Sequence, residues 1–384
     1  MKYMGSKRAM LTNGLGNLLR TEATKYERVV DLFCGAGSVA WFVCQHTKKP
    51  VLAVDLQQYA AVMAGAVVTR VKAVDAQQLI TSWCKPAAAQ RTRHSLWDDA
   101  IRTGDGPINT ATWCGGARRL CAEQPDVGII WSAYGGHYFS PAQALTIDTL
   151  LESLPSDAQS RTIALAALIM SASQCVASPG HTAQPFQPTR SAARFLREAW
   201  KRDPIVYVER ALRLLCPQHA WASGYAQVGD ALAYAQRLDE SDLVFIDPPY
   251  SGVHYSRFYH VLETIARGGC GKVDGVGRYP PPAERPVSRF SRKSEAHSAL
   301  DTLLQRLRDR KCAAILTFPE GECSNGLSGS SVLQATKRYF SVGTRIVSSK
   351  FSTLGGNNDV RQARQQAHEM ILLLQPKSST CQIM

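Results

Sequence analysis

The stretch RVVDLFCGAGSVAWFVC, residues 28–44, contains the parts from which the fold follows. Its first six residues, 28–33, are mostly apolar and predict a short buried strand. CGAGS is a glycine turn, and the apolar residues VAWFVC after it begin a helix. A second strand at 51–54 ends at Asp55, and a second apolar helix follows it. This order is a β-α-β unit, which is typical of a parallel α/β sheet.

The glycine turn indicates an adenosine-containing cofactor. GAGSVA, residues 35–40, fits the pattern G-x-G-x-x-G/A between a strand and a helix, and Asp55 stands eighteen residues beyond Gly37. Such glycines let backbone amides approach a ligand, and such an acid can bond ribose hydroxyls. NAD, FAD and S-adenosylmethionine all contain adenosine. Asp31 favours the last of these, because a carboxylate is unfavourable beside a pyrophosphate but favourable beside the ammonium of a methionine moiety.

DPPY, residues 247–250, follows an apolar strand at 242–246. The two prolines have no N–H to donate, so they end the strand and hold a rigid turn. An exocyclic amine on a base is a poor nucleophile, because its lone pair is delocalised into the ring. The Asp247 carboxylate and the Pro248 carbonyl would accept its two N–H groups and localise that lone pair toward a methyl donor. We interpret Asp247, Pro248, Pro249 and Tyr250 as catalytic, with Tyr250 stacking on an extruded base.

Four predicted strands carry an aspartate at or near the end. Ligands of open α/β sheets bind at the carboxyl ends of the strands, so we expect these carboxylates along one edge. An isolated aspartate at a strand end is more often a turn or helix cap. Further strands are predicted at 225–228 and 312–318, and an antiparallel edge pair at 342–348 and 369–375. The four aspartates are Asp31, Asp55, Asp230 and Asp247.

The region between about 75 and 224 separates the two motifs. Its first half, which includes TGDGPINTATWCGGARR, is rich in Gly, Trp and polar residues, and we expect it to be irregular. Its second half predicts helices in SPAQALTIDTLLESL, RTIALAALIMSASQCV and RSAARFLREAWKR. We therefore interpret this region as an insert in the α/β sheet.

The bulk composition limits the classes of function. The chain of 384 residues has a formal net charge of +13, which favours a polyanionic partner such as nucleic acid. It has no apolar run of about 18 residues and no secretory signal, so we expect no membrane association and a cytoplasmic protein. Eleven cysteines suit reduced thiols better than a disulfide framework. Cys114 and Cys121 lie too far apart for the usual zinc spacing, so we predict no metal.

With these motifs in order, the chain resembles the Dam-like (α-class) N6-adenine-specific DNA methyltransferase family. That family has a lysine-containing N-terminal segment, then F-x-G-x-G, an inserted recognition domain, and DPPY. The corresponding parts are KYMGSKRAML, DLFCGAGSVA, the insert and DPPY. The resemblance has specific motifs over residues 1–60 and about 225–265. The insert is longer than in compact members, and a second excursion at 251–311 follows DPPY.

The resemblance implies a Rossmann-like α/β core with a seven-stranded mixed sheet, which binds S-adenosylmethionine. The core would comprise residues 1–74 and 225–384, with 251–311 as a DNA-contacting excursion. The insert, 75–224, would be a largely helical target-recognition region. The implied activity is methylation of a flipped adenine in double-stranded DNA, in restriction-modification with a possible cognate endonuclease or in related DNA marking. The implied cofactor contacts are Tyr3, Lys7, Asp31, Phe33, Gly35, Gly37, Asp55 and Asp230.

Contacts with DNA are expected from a basic loop at 267–293 and from the residues after DPPY. The loop has seven Lys or Arg against two acids, and its prolines argue against a helix. Phe258, Val261, Leu262 and Ile265 have helical spacing and are expected in a core. The candidates for DNA contacts are Lys2, His254, Tyr255, Arg257, Arg278, Arg289, Arg292 and Lys293.

Three alternatives stay open at this point. Another amine, cytosine N4 in DNA or guanine N2 in RNA, would use similar chemistry, although cytosine enzymes usually carry Ser in place of Asp247. An NAD-dependent oxidoreductase explains the glycine turn but not DPPY. A non-catalytic nucleic-acid-binding module explains the charge but neither motif.

Overall fold

A computed structural model describes residues 7–104, 110–351 and 365–377, which divide into two compact units. We call the first the sheet unit. It consists of the described residues of Met4–Val71, Ala220–His254 and Val287–Met384. We call the second the helical unit. It consists of the described residues of Lys72–His219 and Tyr255–Pro286.

A seven-stranded mixed sheet is the centre of the sheet unit, as expected. Its strands are β1 (Arg28–Asp31), β2 (Val51–Asp55), β3 (Tyr225–Val228), β4 (Asp242–Ile246), β5 (Ala313–Pro319), β6 (Phe340–Phe351) and β7 (Gln365–Pro376). They lie in the order β3-β2-β1-β4-β5-β7-β6. The first five strands each run parallel to their neighbours among these five, whereas β7 runs antiparallel to β5 and β6. The predicted antiparallel edge pair is therefore confirmed.

The order of the strands reverses between β1 and β4. β1 pairs with β2 on one side and with β4 on the other, with Asp31 opposite Phe245. Ligands of open α/β sheets bind at such a switch point, beyond the carboxyl ends of the strands. The sheet thereby places Asp31, at the end of β1, near the DPPY turn that follows β4.

The sheet is covered on both faces, as the apolar strands require. Val30, Val244 and Leu316 point into one core with helices that follow β3 and flank β5. Because side chains alternate along a strand, Asp31, Phe245 and Thr317 point to the opposite face. The helices and helical turns of the sheet unit are Arg8–Met10, Leu11–Leu15, Gly16–Ala23, Ser38–His46, Gln58–Val68, Ala231–Ala235, Arg289–Ser291, Ala296–Asp309 and Gly329–Tyr339.

The helical unit packs around the helix Ala158–Cys175, which is buried along most of its length. This helix packs against Pro204–Leu215 and against His260–Arg267. In the described part of the chain, no helix is both long and apolar enough to cross a membrane. The other helices and turns are Ala76–Leu79, Ile80–Cys84, Lys85–Arg93, Trp97–Gly104, Thr110–Glu123, Pro125–Val127, Ile129–Tyr134, Pro141–Glu152, Ala193–Trp200, Tyr255–Phe258 and Pro282–Glu284.

The expectation of an irregular first half of the insert was wrong. The segment TATWCGGARR, residues 110–119, lies in the helix Thr110–Glu123. Glycine in a helix costs about 1 kcal/mol relative to alanine, and two adjacent glycines hid the pattern. Packing outweighs that cost, because Trp113, Ala117 and Cys121 are buried at helical spacing. The Trp113 ring lies edge-on to Trp200, with 4.7 Å between the ring centroids.

Residues 255–286 belong to the helical unit, although they follow DPPY in sequence. The Thr182 N–H donates to the Phe258 carbonyl over 2.6 Å, and the Tyr138 hydroxyl lies 2.9 Å from the Gly277 carbonyl. Phe258, Val261, Leu262 and Ile265 are buried, as predicted. The expected excursion at 251–311 is therefore divided between the two units. That the helical unit recognises the target stays a prediction.

The helix Pro141–Glu152 begins with a capping box. Ser140 Oγ accepts the Gln143 N–H, and Gln143 Oε1 accepts the Ser140 N–H. Removing such a cap costs about 1 kcal/mol. We therefore expect Ser140→Ala to lower the midpoint of thermal unfolding by about 2–4 °C, measured by calorimetry. The exposed Ser156 supplies the control, since Ser156→Ala should leave the midpoint unchanged. Equal shifts in both variants would contradict the role of the cap.

Candidate active site

The glycine turn after β1 holds a backbone geometry that only glycine adopts easily. Gly37 has φ +78° and precedes the helix Ser38–His46. A Cβ on Gly37 would stand 3.0 Å from Trp41 Nε1 and 3.1 Å from Ala64 Cα. The Trp41 indole N–H donates to the Met63 carbonyl over 3.0 Å, which fixes this contact. The turn therefore keeps its backbone open at the carboxyl end of the sheet.

Asp55 joins the glycine turn to the second strand. One carboxylate oxygen accepts the Gly35 N–H over 2.9 Å, and the other accepts the Gln57 N–H over 3.0 Å. The structure thus brings together an acid and a glycine that stand twenty residues apart in sequence. This is the arrangement that the fingerprint predicts for a ribose-binding acid beside a glycine turn. Binding of ribose by Asp55 stays a prediction.

Asp31 is a buried acid at the end of β1, only 2% exposed. Burial raises its pKa to about 8; the Phe33 N–H opposes this, and the nearby Asp247 and Asp55 carboxyl groups add to it. Within residues 7–104, 110–351 and 365–377, no lysine, arginine or histidine forms an ion pair with Asp31. A buried carboxyl group without a cation is costly to ionise, so this position favours a ligand that brings a positive charge.

The DPPY turn is held from outside by a buried amide. Asn325 Nδ2 donates to the Pro249 carbonyl and to the Phe290 carbonyl, each over 2.9 Å. The Phe290 ring lies edge-on to Phe33, which belongs to the glycine turn, with 5.1 Å between centroids. Asn325 is fully buried. One side chain therefore links the turn after β4 to the turn after β1.

The Asp247 carboxylate is bound on one oxygen. Oδ1 accepts the Thr317 hydroxyl over 3.0 Å and lies 3.1 Å from Lys7 Nζ. Among the described residues, neither Oδ2 nor the Pro248 carbonyl accepts a hydrogen bond. Burial raises the pKa of Asp247, Lys7 lowers it and Glu369 raises it further. The turn thus carries two acceptors on adjacent residues, Asp247 Oδ2 and the Pro248 carbonyl, and the Lys7 ammonium lies at the other oxygen of the Asp247 carboxylate.

Lys7 has different partners from those expected. The resemblance implies a contact with the cofactor, but in the structure the Lys7 Nζ lies 2.7 Å from Glu369 and 3.1 Å from Asp247. Burial disfavours its charge, but the two carboxylates outweigh burial and raise its pKa. Nζ also lies 5.7 Å from the centroid of the Tyr250 ring. Lys7 is therefore part of the DPPY site, and its contact with a cofactor stays a prediction.

The remaining cofactor candidates are placed as follows. Asp230 caps the helix Ala231–Ala235, because Oδ1 accepts the N–H groups of Leu232 and Ala233. Phe33 is partly buried and packs against the core of the sheet unit. Tyr3 and the DNA candidate Lys2 lie outside the described residues. A role for Asp230 beyond the cap stays a prediction.

The DNA candidates of the helical unit differ in exposure. Arg278 is half-buried, and its guanidinium donates to the carbonyls of Ser132 and Ala133, at the end of a helix. Arg257 is exposed and lies over the Tyr279 ring, with 4.8 Å from Cζ to the centroid. Tyr255 is partly buried at the start of its helix. Of these three, Arg257 has the geometry best suited to a phosphate contact.

The DNA candidates of the sheet unit are exposed or partly exposed. Arg289 and Arg292 both pair with Glu295, with distances of 3.0 and 2.6 Å between nitrogen and oxygen. Such surface pairs contribute little to stability, so both guanidinium groups can exchange this partner for a phosphate. Lys293 is exposed and His254 is partly buried. Their contact with DNA stays a prediction.

Sequence reasoning missed three residues of the site: Thr317, Asn325 and Glu369. Thr317 and Glu369 lie within predicted strands, and their alternation with apolar neighbours gave no sign of which face they occupy. Only the pairing of β5 with β7, in which Pro319 is opposite Glu369, brings Glu369 to the carboxyl end of β5. Asn325 lies in a loop without a recognisable motif. For Glu369, the one available signal in the sequence was that a single acid precedes the apolar run MILLLQ.

Comparison with known proteins agrees with this geometry. The sheet order and the two turns define a methyltransferase fold. The model of the D12 class N6 adenine-specific DNA methyltransferase family matches residues 3–91 and 157–276, more than half of the chain. The chain therefore belongs to this family, which confirms the resemblance inferred from the motifs. Membership implies S-adenosylmethionine as the methyl donor.

A curated relative matches a shorter part. The chain is 39% identical over 67 residues to the modification methylase LlaI of Lactococcus lactis subsp. lactis. The match covers 17% of this chain and 10% of that protein. The two proteins are therefore similar over one segment, and the chain spans a small fraction of the relative's length.

The raised pKa of Asp31 predicts how cofactor affinity depends on pH. A cationic ligand binds the ionised carboxylate, so below about pH 8 binding must release a proton. We expect the affinity for S-adenosylmethionine to rise by up to about tenfold per pH unit between about pH 5.5 and 7.5, below the pKa of the ligand's own amine. Calorimetry in buffers of different ionisation enthalpy measures both the affinity and the released proton.

Asp31→Asn is the matched variant for this titration. Its affinity should be lower at pH 7.5 and should lose most of the dependence on pH over the same range. Release of a full proton by Asp31→Asn would assign the titration to another group and contradict the prediction.

The contacts of Asn325 predict a positioning role. Asn325→Ala removes both donors to the Pro249 and Phe290 carbonyls, and misplacement of a reacting group by about 1 Å can cost roughly 100-fold in rate. We expect the single-turnover rate of methyl transfer to fall at least about tenfold, with a smaller change in cofactor affinity. Asn325→Asp loses the same donors and should behave alike. The exposed Ser330→Ala is the control, and equal rates in all variants would exclude this role.

Proposed function

We propose that the protein transfers the methyl group of S-adenosylmethionine to the N6 amine of adenine in double-stranded DNA. The observation that carries the proposal is the pair of acceptors at the DPPY turn, Asp247 Oδ2 and the Pro248 carbonyl. Thr317 and Lys7 bind the other carboxylate oxygen, and Asn325 binds the next carbonyl along the turn. The two acceptors thus match the two N–H groups of an exocyclic amine.

This geometry accounts for the activation of a weak nucleophile. Two hydrogen bonds in the plane of the N–H groups draw electron density to the amine nitrogen and direct its lone pair toward the methyl donor. The rigid turn makes these bonds without reorganisation during the reaction. Asp247 serves as a hydrogen-bond acceptor, and the proton can leave after the methyl group has transferred. The arrangement therefore needs orientation more than a strong base.

The residues at the end of β1 fit the proposed cofactor. The buried Asp31 carboxyl group has no cation among the described residues and suits the ligand's ammonium. Asp55, fixed by Gly35, would bond the ribose hydroxyls, and the open glycine turn would admit the ligand. When bound, S-adenosylmethionine supplies a methyl group on a sulfonium, which needs no further activation. Asp31, Asp55, Gly35 and Gly37 would hold it at the edge where β4 ends.

The DNA substrate is supported by the charge of the chain and by the family. A net charge of +13 suits a polyanion. A base in a duplex cannot reach a buried carboxylate, so the adenine would be extruded from the stack, with Tyr250 beside it. The helical unit would contribute target recognition, including the exposed Arg257. The name modification methylase of the similar Lactococcus protein supports a restriction-modification setting, with an endonuclease as a possible partner.

The experiment is to identify the methylated nucleoside. Purified protein is incubated with labelled S-adenosylmethionine and separate pools of double-stranded DNA and structured RNA, and each pool is digested to nucleosides. We expect label in N6-methyldeoxyadenosine from the DNA. Label in N4-methyldeoxycytidine, or in N2-methylguanosine from the RNA, would overturn the choice of base.

A variant of the proposed catalytic acid tests its role. Asp247→Ala removes one acceptor of the amine, and we expect methyl transfer to fall by about 100- to 1,000-fold, as for loss of a preorganised group at a transition state. The affinity for the cofactor, measured by calorimetry, should change far less. The exposed Asp309→Ala is the matched control and should retain full activity. Activity within tenfold of the wild type in Asp247→Ala would contradict the proposed role.

A further inference from the structure

Glu369 forms a buried cluster with Lys7 and Asp247. Lys7 Nζ lies 2.7 Å from Glu369 Oε2 and 3.1 Å from Asp247 Oδ1. The side chains of Lys7, Glu369 and Asp247 are 3%, 5% and 16% exposed. One ammonium therefore serves two carboxylates in a region from which water is largely excluded. Its shorter contact is with Glu369, the residue that lies outside the DPPY motif.

The pairing of β5 with β7 brings Glu369 close to Lys7 and Asp247. β7 runs antiparallel to β5, so the start of β7 lies beside the end of β5, and Glu369 is opposite Pro319. Met370 and Leu372 point into the core on one face of the sheet. Glu369 therefore points to the other face, as Thr317 does, where Asp247 lies just beyond β4. The acid is placed by strand register and not by a flexible loop.

An ammonium paired with Asp247 alone would cancel its charge. A carboxylate whose charge is offset by an adjacent ammonium is a weaker acceptor, because the negative charge that strengthens hydrogen bonds to it is partly cancelled. Without Lys7, the buried Asp247 carboxyl group would be costly to ionise. A second carboxylate resolves both problems, since the cluster of three then has a net charge of −1. That charge is available to a group that approaches Asp247 Oδ2.

We propose that Glu369 is a positioning residue for methyl transfer, which draws the Lys7 ammonium to itself, so that the charge of Asp247 is less offset and Asp247 is a stronger acceptor for the target amine. This inference rests on the proposed function, in which Asp247 accepts an amine N–H. Glu369 touches neither substrate nor cofactor in this role. It acts through Lys7, and Lys7 acts on Asp247 Oδ1.

Among the described residues, the groups that face Asp247 come from four elements. Lys7 comes from the N-terminal segment, Thr317 from β5 and Glu369 from β7, while Asp31 at the end of β1 is close enough for its own pKa to respond to Asp247. Thr317 does not titrate. Of the charged groups, Lys7 lowers the pKa of Asp247 and Glu369 raises it. In a plot of the methylation rate against pH, the acid limb is the range in which the rate rises as Asp247 ionises. Variants of Lys7 and Glu369 should therefore shift this acid limb in opposite directions.

The test compares Glu369→Gln, Lys7→Met and the double variant by single-turnover methylation of DNA across about pH 5 to 9. In Glu369→Gln, Lys7 pairs fully with Asp247, so we expect the acid limb to move down by about 1 pH unit, the lower end of the effect of a charge within about 4–6 Å. The rate at neutral pH should fall about tenfold, because the Lys7 ammonium then offsets the charge of Asp247 without competition from Glu369. In Lys7→Met, two carboxylates remain together, so the limb should move up and the rate should fall at least about 100-fold.

The double variant separates positioning from simple support of the fold. It restores the net charge of −1 with Asp247 alone, so it should react at least about tenfold faster than Lys7→Met. Glu320→Gln is the matched control: this neighbouring glutamate is exposed, and its variant should keep the wild-type rate and profile. Circular dichroism and cofactor affinity confirm that each variant is folded, and Glu369→Gln alone decides the question if Lys7→Met does not fold.

An unchanged acid limb in Glu369→Gln, or a double variant no faster than Lys7→Met, would overturn the inference. These outcomes differ from failure of the proposed function. In that case the wild-type protein would itself methylate no amine, or a different one. If the wild-type protein methylates adenine and the acid limb of Glu369→Gln is unchanged, the proposed function stands. Only the positioning role of Glu369 is then excluded.

Discussion

The exclusion of water from acidic groups at the carboxyl end of the sheet is the constraint on which the site depends. Asp31, Asp247 and Glu369 all lie on the same face of the sheet. Side chains alternate along a strand, and the residues next to these acids in sequence point into the core on the opposite face. Burial raises the pKa of Asp31 and of Asp247. The cluster of Lys7, Asp247 and Glu369 contains one lysine, so the position of its ammonium between the two carboxylates decides how far the charge of Asp247 is offset. The chemistry of the site follows from that distribution.

Rigid backbone supports this electrostatic arrangement. The Pro-Pro turn fixes the carbonyls next to Asp247, and Asn325 fixes the turn in relation to the Phe290 segment. On the other side of the switch point, Gly37 and Asp55 hold the turn after β1. Each turn is thus held by side chains from elsewhere in the sheet unit, so the two acceptors and the cofactor residues keep fixed positions. Preorganisation of this kind lowers the cost of orienting weakly reactive groups.

Local sequence predicted the parts of the fold whose signal is local. The strands β1, β2 and β4, the DPPY turn and the capped helix at 141–152 all carry apolar runs, prolines or caps in sequence. The helix Thr110–Glu123 was missed, because Gly115 and Gly116 disfavour a helix locally and burial of Trp113 restores it. Lys7 was predicted as a cofactor contact, which stays a prediction, and its pairing with Asp247 and Glu369 was not predicted. Glu369 joins the site only through strand order, which no local pattern contains.

Electrostatic repulsion links Asp31, the proposed cofactor acid, to Asp247, the proposed acceptor of the amine. The Asp247 carboxylate raises the pKa of Asp31, and since the repulsion between two like charges is mutual, the two carboxyl groups oppose each other's ionisation when no cation lies near Asp31. A cationic ligand at Asp31 removes that opposition, and Asp247 then needs only Lys7 and Glu369 to set its charge. Ionisation of the amine acceptor is thereby favoured in the state that holds the methyl donor. The same argument explains why a buried edge with several acids and one lysine suits a sulfonium cofactor better than a dinucleotide, whose pyrophosphate would add to the repulsion.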